Sequence, residues 1–98
     1  MTIEKNLNGS ELEVVIEGRL DTTTAPELET ELKNSYDGLT ELVINMANLD
    51  YISSAGLRVL LSAQKTMNKQ GSMKITNVNE EIMEIFDVTG FVDILTIE

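Results

Sequence analysis

The sequence contains no cysteine and no histidine. Without thiols there is no disulfide, thiolate nucleophile, iron–sulfur cluster or zinc–thiolate site. Without imidazoles, Ser-His-Asp and Cys-His arrangements are gone, along with the commonest transition-metal ligand. These absences argue against an enzyme, a metal site or a bound cofactor. No apolar run is long enough to span a bilayer, and Met1-Thr2-Ile3-Glu4-Lys5 has no basic region leading into an apolar stretch. Neither a membrane span nor a secretory signal is expected, so the expected location is cytoplasmic. Positive charge is scarce too: seven basic residues stand against 17 acidic ones, a net charge of −10. Such a field repels phosphate backbones and anionic headgroups, which argues against nucleic acid and membrane surfaces as partners. It suits solubility alone, or a protein partner of opposite field.

What is present reads as one soluble domain over residues 1–98: 42% apolar, 24% charged, with no repeat, linker or low-complexity tract. Thr2–Leu7 and Glu11–Gly18 alternate around Asn8-Gly9, which predicts a hairpin closed by a type I′ turn. That turn also accounts for the Asn8-Gly9-Ser10 sequon. Thr24 and Glu27 form a capping box with Pro26 in the first turn, and Ala25, Leu28, Leu32 and Tyr36 make one helical face ending at Asp37-Gly38. Glu27, Glu29 and Glu31 are its solvated face. Leu42-Val43-Ile44 within Glu41–Met46 reads as a strand covered on both sides, followed by a loop from Ala47 to Ile52.

A helix is expected from Ser53 or Ser54 to about Lys69, with Leu57, Leu60, Leu61 and Met67 on its apolar stripe and Gly71 as its stop. Met73 to Val78 reads as a strand, Ile82 to Phe86 as a short helix and Phe91 to Ile97 as a last strand. Met46, Met67, Met73 and Met83 are expected as core filler. The order β-β-α-β-α-β-α-β predicts an α/β fold: a mixed sheet with one antiparallel pair, otherwise parallel, and helices packed on it.

The most informative stretch is Asp50-Tyr51-Ile52-Ser53-Ser54-Ala55-Gly56-Leu57-Arg58, where two hydroxyls meet the start of an apolar helix. The unpaired N–H groups and dipole of such a terminus favour an anion, and Gly56 lets another backbone or a ligand come close. A serine there also serves simply as an N-cap, contributing about 1 kcal/mol. There is no Gly-x-Ser-x-Gly elbow, no histidine as the base to activate a serine and no Gly-Lys-[Ser/Thr] loop. Lys65 and Lys69 lie too far along the helix to serve as that base. Asp21 reads either as a turn cap or as part of a site, and Asp50 either orders the loop around Ser54 or faces water.

Together, the opening hairpin, Gly18-Arg19-Leu20-Asp21, the apolar third strand, Ser53-Ser54-Ala55-Gly56-Leu57 and Ile85-Phe86-Asp87-Val88-Thr89-Gly90-Phe91 resemble the STAS domain family, specifically the bacterial anti-sigma factor antagonists. The resemblance runs nearly end to end. It implies a protein without enzymatic activity whose unphosphorylated form binds an anti-sigma factor serine kinase and frees a sigma factor. It also implies that phosphorylation two residues before the glycine, here at Ser54, switches binding off, and that a serine phosphatase restores it. Asp21, Ser53, Ser54, Ala55, Gly56 and Arg58 are the implied partner-binding residues, on a monomer. The chain departs from the family in three places. Ser53 stands where many members carry Asp, which makes it a second candidate acceptor. Arg58 stands where some members have a small residue. The sequence stops at Glu98, so a final helix is expected to be short or absent. The other reading is a STAS scaffold or adaptor in a regulatory or lipid-transport complex, without phosphorylation.

Overall fold

The computed structural model describes residues 1–98. Strands β1 (Thr2–Asn8) and β2 (Glu11–Leu20) form the expected antiparallel hairpin, and helix α1 spans Ala25–Lys33. Strand β3 (Glu41–Ile52), helix α2 (Ser54–Gln70), strand β4 (Ser72–Thr76) and helix α3 (Glu80–Val88) follow, and a 3₁₀ turn covers Phe91–Asp93. The sheet order is β1-β2-β3-β4, with β2, β3 and β4 mutually parallel. The mixed α/β architecture is therefore the one the sequence predicts. No helix is long and apolar enough to cross a membrane.

One sheet face carries the core. Leu12, Val14 and Ile16 of β2, Leu42, Ile44 and Met46 of β3, and Met73 and Ile75 of β4 are buried with Leu28, Leu32, Leu60, Ala63, Met67, Ile82 and Phe86 from the helices. Glu13, Val15, Asn45 and Lys74, on the opposite face, are only half-buried. The expectation of a third strand covered on both sides is thus corrected. Val43 is 6% exposed because Glu13 and Lys74, its cross-strand neighbours, lay their stems beside it, and no helix covers that side. Met46, Met67 and Met73 are core residues, whereas Met83 is 37% exposed.

Other local expectations also change. Asn8 pairs with Glu11, so Gly9 and Ser10 form the hairpin turn, and only Gly9 has positive φ (+64°), the pattern of a type II′ turn rather than I′. The loop expected at 47–52 is strand. The pairing of β3 with β2 shifts register between Val15 and Glu17 and again between Gly18 and Arg19, each time with one extra residue in β3. These bulges place buried Met46, Leu49 and Ile52 at intervals of three, which erases the period-two signal.

Thr24 does not form the capping box. Its hydroxyl turns back to donate to the Arg19 carbonyl (2.7 Å) and accepts from the Asp21 N–H (2.8 Å). Helix α1 stops at Lys33, and Tyr36 packs on the core from beyond it. Gly71 ends α2 because any Cβ there would overlap the Thr40 carbonyl. Asn79 caps α3 through the Ile82 N–H (2.9 Å) and ties it to β3 through the Leu49 carbonyl (3.0 Å). The last strand expected over 91–97 is reduced to one parallel bridge between Ile75 and Ile97.

Candidate functional site

Parallel pairing brings the ends of β2 and β3 together. Leu20 lies opposite Ile52, and the Ser53 N–H donates to the Leu20 carbonyl (2.9 Å). Asp21 and Ser53 therefore leave neighbouring strands side by side, at a strand spacing of about 4.8 Å.

The two serines then differ. Ser53 is the N-cap of α2, in extended backbone (φ −101°, ψ 175°), half-buried, and its Oγ accepts from the Gly56 N–H at 3.5 Å. Ser54 is the first residue of the helix. It is exposed, and its hydroxyl makes no hydrogen bond within the chain. None of the clefts in the molecule includes either serine, so the site is a surface rather than a small-molecule pocket.

Gly56 and Ala55 shape this surface from beneath. A Cβ on Gly56 would sit 2.7 Å from Leu20 Cγ and 2.9 Å from Ile52 Cγ1, so the missing side chain lets α2 settle on the strand ends. Gly56 is buried. The chain's own side chains, Leu20 and Ile52, take the space that a side chain at Gly56 would fill. Ala55 is half-buried against the core.

Asp21 closes the turn between β2 and α1. Its Oδ1 accepts from the backbone N–H groups of Thr24 (3.1 Å) and Thr23 (3.0 Å). The Thr24 N–H, aided by the Thr23 N–H and the Arg19 charge, outweighs partial desolvation and holds the carboxyl below its ordinary value. Arg19 Nε lies 3.7 Å from Asp21 Oδ2, and its guanidinium carbon sits 4.3 Å from the centre of the Tyr51 ring. Arg19 thus bridges the tips of β2 and β3, stacked on an aromatic ring that is 38% exposed. Neither Arg19 nor Tyr51 is among the candidates read from the sequence. Arg19 stands inside the Gly18–Asp21 motif, but only the bulged register sets it opposite Tyr51.

Arg58, one turn into α2, is exposed, with its Nε 3.5 Å from the Ser54 carbonyl and no carboxylate paired with it. Asp50 faces elsewhere: it is exposed and lines an acidic cleft with Asn79, Glu80 and Glu81 at the start of α3.

Comparison with known proteins shows the family of this chain. A model of the STAS domain aligns with residues 2–98. The anti-sigma-B factor antagonist of Bacillus subtilis (strain 168) is 32% identical over 98 residues, covering 99% of this chain and 90% of that protein. An anti-sigma factor antagonist from Mycobacterium paratuberculosis superposes with a TM-score of 0.89 at 21% identity, over 98% of this chain and 83% of that one. The phosphorylated form of the Bacillus cell fate determinant SpoIIAA does so with a TM-score of 0.78 at 13% identity, over 99% and 91%. At these identities the superpositions establish the fold alone. With the domain model spanning nearly every residue and a full-length relative above 30% identity, the chain belongs to the STAS domain family.

Proposed function

We propose that residues 1–98 act as a single, monomeric, cytoplasmic STAS unit that antagonises an anti-sigma factor and is switched by phosphorylation at Ser54. The unmodified form binds an anti-sigma factor serine kinase, so that a sigma factor is released. The kinase modifies Ser54, and a serine phosphatase resets the switch. The observation that carries this reading is the contrast at the head of α2: the Ser54 hydroxyl is exposed and unbonded, while that of Ser53 is engaged as a cap. The antagonist names of full-length relatives support it.

The switch needs no refolding. The unmodified serine is small and neutral, so a partner can pack closely on the α2 start, the Asp21 turn and the Arg19–Tyr51 pair. Phosphorylation adds about −1.5 to −2 charges and three acceptor oxygens. The helix N-terminus stabilises that group in the free protein by about 0.5–2 kcal/mol. In the complex the same group must be desolvated beside the Asp21 carboxylate. A penalty of about 3 kcal/mol weakens binding more than a hundredfold.

The test compares kinase binding by wild type, Ser54→Ala and Ser54→Asp, with intact mass measured after incubation with kinase and ATP. The expected results are binding by the first two, none by Ser54→Asp, and one phosphate that Ser54→Ala abolishes and Ser53→Ala does not. Stable binding to Ser54→Asp, with no phosphate incorporated, supports the scaffold reading instead.

A further inference from the structure

The charge of this chain is unevenly distributed. The net charge is −10, yet α2, from Ser54 to Gln70, contains no acidic residue. Its three cations are Arg58, Lys65 and Lys69. The ion pairs of the molecule engage Lys5, Arg19, Lys33 and Lys74, so the three on α2 are the only basic side chains without a carboxylate partner. They also share one line. Counted from Ser54, positions 58, 62, 65 and 69 fall within an arc of about 80° on a helix of 3.6 residues per turn. All five side chains on that line are exposed. On α1, the neighbouring helix, Glu29 and Glu31 are already paired with Lys33 and Lys5.

We infer that this stripe, about 22 Å long and headed by Ser54, is a docking surface for an acidic face of the anti-sigma factor. For the identity of its partner the inference rests on the proposed antagonist function. Charge complementarity selects the occupant. With a screening length of about 8 Å, the acidity elsewhere on the molecule does not cancel three adjacent cations at a contact. A phosphate backbone is disfavoured, because three cations make few phosphate contacts and the rest of the −10 field opposes a long polyanion. The placement also deepens the switch. A phosphate on Ser54 lies four residues N-terminal to Arg58, the favourable order for an anion–cation pair on a helix. It draws the Arg58 guanidinium inward and sets about two negative charges where the partner's carboxylates must dock.

The test measures the Kd and association rate of the anti-sigma factor kinase for the full chain carrying Arg58→Gln, Lys65→Gln and Lys69→Gln together, and for the matching Glu triple. Lys33→Glu on α1 is the control, and circular dichroism checks the fold of each variant. Neutralisation is expected to raise Kd about tenfold and reversal about a hundredfold, mostly through slower association that salt masks. Lys33→Glu should stay within twofold. A Kd within twofold of wild type for the Glu triple, while Ser54→Asp still abolishes binding, overturns the stripe and leaves the antagonist reading standing. The opposite pattern overturns the switch and keeps the stripe. A gel shift of a labelled oligonucleotide by wild type, lost in the Glu triple, would assign the stripe to nucleic acid and overturn the acidic-protein occupant.

Discussion

At the scale of the residue, two adjacent serines are separated by what their oxygens already do. The Ser53 oxygen takes the Gly56 N–H, at the long end of hydrogen-bond distance, and the Ser54 oxygen takes nothing. Ser53→Ala should therefore cost about 0.5–1 kcal/mol in urea unfolding, whereas Ser54→Ala should stay within about 0.5 kcal/mol of wild type. Asp21 illustrates the same accounting for a charge. Its carboxyl is held below its ordinary value, chiefly by the Thr24 N–H. A lowered folded value gives stability that is present above the unfolded value and lost as pH falls through the folded one. Asp21→Asn should lower Tm at pH 7, and its gap from wild type should shrink as pH drops below about 4. A gap constant from pH 7 to pH 3 would show that the charge of Asp21 does not contribute.

At the scale of the element, α2 is defined by the surface it rests on. Gly56 and Gly71 stand at either end, and each is required by contact rather than by helix propensity: Gly56 meets Leu20 and Ile52, and Gly71 meets the Thr40 carbonyl. Gly56→Ala gains about 1 kcal/mol in helix propensity but forces a methyl into buried Leu20 and Ile52, an overpacking that costs about 1–3 kcal/mol. The expected net result in urea unfolding is a loss of up to about 2 kcal/mol, with partner binding weakened because the head of α2 lifts from the strand ends. Strand β3 is also shaped by a neighbour. Its two bulges against β2 turn its tip so that Met46, Leu49 and Ile52 all point inward, which carries the chain to Ser53 in register with Leu20.

At the scale of the whole molecule, 17 acidic against seven basic residues leave the folded state self-repelling at neutral pH. The ion pairs are all solvent-accessible and worth less than about 1 kcal/mol each. Screening should therefore relieve more repulsion than it removes attraction. Raising salt from about 20 to about 200 mM should raise Tm by a few degrees, as a thermal melt would show. The architecture itself was legible in the sequence: Leu12, Val14 and Ile16 alternate, Leu28 and Leu32 recur at helical spacing, and the Ser53–Leu57 motif marks the start of α2. These signals are local, and periodicity and turn chemistry act on a few consecutive residues at a time. What only the tertiary structure decided depends on neighbours distant along the chain. The long β3 exists because β2 pairs with it through two shifts of register. Arg19 finds Tyr51 only across the bulge, and Gly56 serves packing because Leu20 and Ile52 converge beneath it. Each of these is a contact between separate strands or helices, and no window of adjacent residues contains both partners.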